Sequence, residues 1–485
     1  MPQIFLISPP LVAYDRDIFG MIPSPPIGLA SIAAYLREQG FTVGFLDAFG
    51  EKPFNWFHYR DSFVKVGLTI DEIIERIDSD VNLVGISVHS GMVSSLCIEL
   101  AANIKKMLGK KVVVGGPHVT LNYCDFLQEG VDYAVIGEGE AAMAALLKKL
   151  ADGNETIFIP GIVDRKRMDN FIQSVPVEMD TLPIPAWDLV PLENYWELKM
   201  NHSPFKGRFA PIITSRGCSY NCKFCSTPLT SGRQWRGHSP QRVVDDLQYL
   251  IENYGIEDIF IQDDNFTLKP DRVKDICRLI LERGLRVRLS LPSGVRVETL
   301  SEDLIPSLSE SGLNYLCLAP ESGSRRIRKQ MSKPLDEKKL YRIQRVCRKV
   351  GIKSGVFFII GFPGETFSDI LKTAGMIAKL IFLGVDDISI FIYSPLPGKQ
   401  VPPEFMENFP RDYLGICWSP RWRKDFRKLS WIRILLYLEY SILKILFQPL
   451  SIPKHIRNIV TKKFETKGEM GAARFIAAFL RKKKI

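Results

Sequence analysis

The sequence predicts an α/β chain in three parts. A Rossmann-like, doubly wound parallel sheet comes first, then a partial (β/α)6 barrel of the TIM type, then a helical C-terminal tail. Three observations predict this. Apolar runs of strand length alternate with helical stretches through residues 1–150, and again through 208–400. A proline-rich linker, 151–207, divides the two series. Composition then shifts: residues 401–485 hold 18 Lys plus Arg against 7 Asp plus Glu, a net of +11, whereas residues 1–400 hold 46 and 47.

In the first part, Ile4–Ser8 reads as a strand ended by Pro9-Pro10, and Ile27–Gln39 as a helix stopped by Gly40. Thr42–Leu46, Val81–Val88, Lys111–Val114 and Tyr133–Ile136 read as further strands, with helices over Leu96–Leu108 and Glu140–Leu150. Near-continuous apolar strands separated by helices imply a parallel sheet covered on both faces. Ligands of such sheets sit outside the C-terminal strand ends. Two Gly-rich turns fall there, Gly115-Gly116-Pro117-His118 and Gly137-Glu138-Gly139-Glu140.

In the linker, Trp187 and Trp196 suggest that part of it packs on a domain surface. Residues 208–400 carry strands near 210–214, 258–262, 286–290, 314–319, 355–360 and 387–392, with helices such as Gln241–Tyr254 and Asp271–Arg283 between them. Six βα units in so short a span suit a partial barrel, because the eightfold one typically needs about 250 residues.

With 46% hydrophobic and 24% charged residues, the 485-residue chain is not disordered, collagen-like or coiled-coil. Nine cysteines, six of them scattered, do not make a secreted disulfide framework. The start Met1–Ile7 lacks a basic region and leads straight into a strand. A reducing cytoplasm is the expected compartment. The basic tail points to a membrane surface or to nucleic acid.

Chemistry concentrates in Cys218, Cys222 and Cys225, a C-x3-C-x2-C run just past the first barrel strand. Three thiolates on one tight loop can face one inorganic centre and leave a coordination position open. Gly217 gives that loop backbone freedom, and Phe224 can shield the centre. The competing reading is a structural zinc site with a remote fourth ligand; His238 is the nearest histidine downstream. Asp263 and Asp264 end the second barrel strand, where they could also cap the helix from Asp271. Glu321 and Ser322 end the fourth, and Gly361 and Gly364 follow the fifth.

These residues, in this order, resemble the radical S-adenosylmethionine enzymes. The resemblance implies that Cys218, Cys222 and Cys225 hold a 4Fe–4S cluster whose open iron binds S-adenosylmethionine. It implies that Asp263 and Asp264 recognise the methionine amino group, that Glu321 and Ser322 meet the ribose or the sulfonium, and that the backbone at Gly361 and Gly364 passes the adenine. The preceding domain is similar to the cobalamin-binding domain of one large subgroup, on Pro25–Ala30, Val84–Ser87 and the two Gly turns. Ser87, His89, Ser90, Gly115, Gly116, His118, Gly137 and Glu138 become cobalamin contacts on that basis. No Asp-x-His-x-x-Gly turn follows the first strand, so cobalt is expected base-off and without a protein histidine. The loop from His89 would lie nearest the lower cobalt face; ligation by His89 is the alternative, and His118 would contact the corrin or its tail. A dinucleotide is the runner-up ligand, but no Gly-x-Gly-x-x-Gly opens a helix after a strand.

The resemblance also implies the reaction: reductive cleavage of S-adenosylmethionine to a 5′-deoxyadenosyl radical, hydrogen abstraction, and methylation of an unactivated carbon from methylcobalamin. Radical cyclisation or oxidation, as by the anaerobic tetrapyrrole cyclase, is the in-family alternative. A non-catalytic cobalamin- or metal-binding regulator is the alternative outside it. An electron donor such as flavodoxin or ferredoxin is implied.

In the tail, Ser430, Arg433, Tyr437, Ser441, Lys444 and Gln448 form one polar stripe on an otherwise apolar helix, with Leu436 and Leu443 assigned to the apolar face. Arg433, Glu439 and Lys444 argue against a span, each costing about 2.5–3.5 kcal/mol at mid-bilayer. Two readings stay open: a helix lying in the membrane interface, or one packed on the barrel. Arg421, Arg423, Lys424, Arg427 and Lys428 before it, and Arg481 to Lys484 at the end, favour a peripheral contact at the inner membrane face through 421–450 and a small lipophilic substrate. Nucleic acid is not expected, because the aromatics interleave with leucines rather than with the basic runs.

Overall fold

The structure, a computed structural model, describes residues 3–15, 23–153, 158–396, 398, 401–417 and 419–481. The first two residues, and the basic end beyond Arg481, lie outside the described residues.

Two mainly parallel sheets organise the chain. The first contains β1 (Ile4–Ser8), β2 (Val43–Asp47), β3 (Leu83–Ser87), β4 (Lys111–Gly115), β5 (Tyr133–Val135) and β6 (Ile162–Asp164). Their spatial order is β2-β1-β3-β4-β5-β6. All pairs are parallel except the last, in which β6 runs antiparallel to β5. The strands are buried on both faces, with Ile4, Leu6, Val84, Ile86, Val112 and Val114 almost inaccessible, which is why they read as unbroken apolar runs. The helices Ile27–Glu38 and Ser94–Leu108 cover the sheet. The second ends at Gly109, whose left-handed backbone (φ 64°) terminates it. A small antiparallel sheet of Leu11–Tyr14, Trp56–His58 and Phe63–Val66 lies beside this unit. The sequence did not announce it, because strands of three or four residues are too short to show a period.

The second sheet is wholly parallel: β7 (Phe209–Ile212), β8 (Asp258–Ile261), β9 (Arg288–Val295), β10 (Leu313–Glu321), β11 (Lys353–Ile360) and β12 (Asp387–Ile392). Its spatial order is the chain order. Helices return between strands, among them Pro240–Tyr254, capped by Ser239 and stopped by Gly255. Another, Phe367–Phe382, starts in a reciprocal Thr366/Asp369 capping box. The fold is thus mixed α/β with two parallel sheets. The proline-rich stretch between them supplies β6 and buries Trp187 and Trp196, whose indole Nε1 donates to Phe209 O at 2.8 Å.

The tail is helical, and its longest helix, Phe426–Phe447, lies against the end of the second sheet. The polar stripe, apart from exposed Ser441, faces the protein. Tyr437 Oη accepts from Ile390 N at 3.1 Å, Tyr440 Oη donates to Asp386 O at 2.7 Å, and Lys444 Nζ donates to the same carbonyl. Gln448 Nε2 donates to Ile381 O at 2.8 Å. The assignment of Leu436 and Leu443 to a free apolar face is corrected: Leu436 is buried and Leu443 half-buried, because they share the inward side with Arg433 and Lys444. The outward side carries Trp431 (67% exposed), Leu435 (60%) and Leu446 (66%). Among the described residues no helix is long and apolar enough to cross a membrane.

Candidate active site

The C-terminal ends of β1, β3 and β4 open on a cavity of about 500 Å³ whose opposite wall comes from the start of the second sheet. Ser8, Ser87, His89, Gly115, Gly116, Gly137 and Glu138 line it from the first unit; Ile213, Ser215, Arg216, Gln262 and Asp264 line it from the second. Gly116 has φ 114°, and a Cβ there would stand 2.8 Å from Val88 O, so no other residue lets the backbone turn here. His89 lines the cavity and is exposed to it; the protein crowded around its loop lowers its pKa. Ser90 and His118 are not on the wall. His118 is buried behind it, edge-on to Tyr413 at 4.8 Å, with no partner for Nε2. Burial, and then His89, lower its pKa to about 4. His118, expected on the corrin or its tail, thus stands one layer behind the cavity wall.

The cysteine loop follows a two-residue ladder in which Ser215-Arg216 pairs antiparallel with Arg236-Gly237. Gly217 begins the loop at φ 87°, where a Cβ would stand 2.3 Å from Gln234 O. Gly217 N donates to Asp264 Oδ2 at 3.0 Å, Thr227 Oγ1 to Asp264 Oδ1 at 3.1 Å, and Cys218 N to Gly232 O at 3.1 Å. Asp264 thus fastens both ends of the loop. Arg296 Nη1 stands 3.3 Å from Cys222 Sγ, and Asn265 Nδ2 stands 3.9 Å from Cys218 Sγ. Burial raises the Cys222 thiol pKa, while Lys333 and Arg296 oppose it. The Lys333 ammonium also lies 5.6 Å over the Phe224 ring, which packs against buried Ile327, Met331 and Phe362. Among the described residues no three His, Cys, Asp or Glu side chains converge closely enough for a single metal ion.

The other expected contacts divide. Asp263 is buried and spent on strand geometry, accepting from Thr214 N (2.6 Å), Thr214 Oγ1 (2.7 Å) and Ser215 Oγ (2.6 Å), so Asp264 alone of the pair faces the cavity. Glu321 ends β10 at φ 65°, a strained position for a side-chain-bearing residue, and receives Lys333 Nζ at 2.5 Å. Ser322 is fully buried and caps the turn through Ser324 N at 3.1 Å. Gly361 lies under the tail: a Cβ there would stand 2.5 Å from Leu429 Cδ1, and Gly361 O accepts from Arg423 Nη1 at 3.0 Å. Gly364 O accepts from Arg326 Nη2 at 2.8 Å.

The sequence reading missed an ionic seam beneath the cavity. Arg216, next to the cysteine loop, donates to Glu138 Oε2 at 3.1 Å and Glu140 Oε1 at 2.7 Å, and Arg236 donates to Glu138 Oε1. Burial alone would raise the pKa of Glu140, which is 3% exposed, but the Arg216 guanidinium holds it below the usual carboxylate range. Glu138, expected on the cobalamin tail, has both oxygens engaged by arginines of the second unit.

Comparison with known proteins agrees with this geometry. Residues 23–147 match the B12 binding domain and 212–377 the radical SAM superfamily. A Pyrococcus horikoshii protein named as an uncharacterized methyltransferase is 32% identical over 436 residues, covering 87% of this chain and 86% of that one. This chain belongs to the cobalamin-binding radical SAM enzymes. Its cofactors are therefore a 4Fe–4S cluster, S-adenosylmethionine and cobalamin, and the radical SAM match coincides with the cysteine loop. The cytidylyl-2-hydroxyethylphosphonate methyltransferase of Streptomyces wedmorensis is a more distant relative, 28% identical over 82% of this chain and 80% of its own. The solved structure of OxsB, a cobalamin-dependent S-adenosylmethionine radical enzyme, has the same fold, with a TM-score of 0.68 at 16% identity over 100% of this chain and 80% of that one.

Proposed function

We propose that this radical SAM enzyme is a C-methyltransferase acting on an unactivated carbon of a small, lipophilic molecule. The observation that supports this most is the cavity shared by the strand ends of the B12-binding unit and the wall beside the cysteine loop: a group held by one unit faces the other. When bound, the cluster and S-adenosylmethionine supply a carbon-centred oxidant and cobalamin supplies the methyl group. In this reading Cys218, Cys222 and Cys225 hold the cluster, and Asp264 keeps their loop in place. Ser87, His89, Gly115, Gly116 and Gly137 cradle the corrin and its tail. Glu321 and Lys333, joined at 2.5 Å, form the polar edge of the S-adenosylmethionine site. The apolar wall of the cavity excludes water from the reacting carbon.

The working units in this proposal are the cobalamin domain 1–150, the linker 151–207, the radical SAM unit 208–400 curved into a partial barrel of six βα units, and the tail 401–485. The electron comes from a low-potential cytoplasmic donor, flavodoxin or ferredoxin.

Anaerobic reconstitution tests the reading. The protein should acquire iron–sulfur absorbance and cobalamin, and should form 5′-deoxyadenosine with a one-electron reductant. Cell lipid and pigment extracts should then gain a labelled methyl from methyl-deuterated S-adenosylmethionine. A product altered without the label would replace methyl transfer by cyclisation or oxidation. Cobalamin binding with no cluster and no cleavage would leave only the regulator.

A further inference from the structure

The tail helix Phe426–Phe447 is apolar on two sides: Leu429 and Leu436 pack inward beside buried Arg433 and Lys444, and a second apolar row faces outward, where an ordinary surface helix is polar. Trp431, Leu435, Leu438, Ile442 and Leu446 recur at helical spacing along one outward row. At 1.5 Å per residue the row runs about 22 Å. Phe382 of the neighbouring helix, itself exposed, widens it through its ring contact with Phe447 at 5.5 Å between centroids. Single exposed apolar residues are ordinary, but a continuous row of this length marks an interaction surface.

We propose that this row docks on an anionic lipid surface. Charge at its two ends selects the partner. Exposed Arg427 and Lys428 stand at its start, and exposed Arg457, Lys462 and Lys463 follow its end. Between Asp425 and Glu465 the sequence has one acid, Glu439, and burial raises its carboxyl pKa, which weakens its opposition to a negative surface. A second copy of the chain is the poorer occupant: a symmetric pairing of the row, parallel or antiparallel, sets basic ends against basic ends. An anionic interface instead accepts the apolar row between the headgroups and both basic ends at its surface. Because Leu429 touches Gly361 and Lys444 reaches Asp386, the helix lies along the outer strand from its C-terminal to its N-terminal end, so docking brings the side of the sheet to the lipid. The proposal is independent of the reaction and holds for any substrate.

Co-sedimentation of the full chain with vesicles decides it. The protein should pellet with phosphatidylglycerol–phosphatidylcholine vesicles at low salt and far less with phosphatidylcholine alone. Leu435→Glu with Leu438→Glu, both at outward positions, should leave the thermal midpoint unchanged and lower the partition coefficient by about tenfold per leucine, since burying one leucyl side chain is worth at least that factor. Arg427→Glu with Lys428→Glu should weaken binding to the anionic vesicles only. Absence of binding by the wild-type protein overturns the proposal, as does equal binding by the Leu435→Glu/Leu438→Glu protein with its midpoint intact. A dimer in sedimentation velocity that these substitutions dissociate, without vesicle binding, assigns the row to self-association and also overturns it.

Discussion

Replacing Arg216 by Met would cut the ionic seam that ties the cysteine loop to the B12-binding unit. Arg216 is 16% exposed and serves two carboxylates, Glu138 and Glu140, the second 3% exposed. Removing it strands a buried carboxylate, and breaking a buried pair from one side costs about 3–5 kcal/mol. Glu140→Gln should cost less, about 1–3 kcal/mol, because Arg216 keeps Glu138 and the amide still accepts a hydrogen bond. The double variant should recover part of the sum, so a double-mutant cycle by chemical denaturation should give a coupling of at least about 1.5 kcal/mol, as for close charge pairs across interfaces. A positioning role adds a second readout. With the loop shifted against the cavity, 5′-deoxyadenosine should still form while methylated product falls, so the ratio of the two rises. Glu138→Asp, which keeps the charge, should restore more of the ratio than Glu138→Gln. Coupling below about 0.5 kcal/mol, or a ratio unmoved in Arg216→Met, would refute the reasoning.

Ala at any one of Cys218, Cys222 or Cys225 should abolish 5′-deoxyadenosine formation and iron–sulfur absorbance, whereas buried Cys347→Ala should retain both. Electron paramagnetic resonance of the cob(II)alamin form should show no axial nitrogen splitting; a splitting lost in His89→Ala would make His89 the ligand, which its place on the cavity wall permits. His118 has a folded pKa of about 4 against a usual 6.5, so the unfolded chain binds more protons between these values and stability falls as pH drops through that window. For this one side chain, 3% exposed, the loss at about pH 5 is about 2 kcal/mol, and His118→Phe should remove about that much of the acid fall in unfolding free energy measured by chemical denaturation.

The parts of this protein that were legible in its sequence are those with a local signature. The βα alternation showed both sheets because a doubly buried strand must be apolar throughout. The cysteine loop declared itself because its three ligands sit within eight residues. The seam was not legible: Arg216 and Glu140 are 76 residues apart, and nothing in the spacing of a Gly-Glu-Gly-Glu turn says which cation meets it. Asp263 and Asp264 look equivalent in the chain, yet the alternation of a strand end turns one into the sheet and the other to the cavity. The stripe on the tail helix was readable by its period, but not its direction. Inward-facing polarity follows from backbone groups at Asp386, Ile390 and Ile381 that need partners, and these appear only once the second sheet is assembled.

Those same contacts give the tail a role apart from lipid. As an end strand, β12 pairs on one side only and leaves a row of backbone groups open to another chain's strand. Tyr437 takes the Ile390 amide, and Tyr440 and Lys444 take the Asp386 carbonyl, so side chains stand where a seventh strand would hydrogen-bond. A chain cut before the tail would keep its cysteines and its cavity wall, but would carry an unprotected template for strand addition. Aggregation by edge pairing, rather than loss of chemistry, is the failure to expect from shortening this protein.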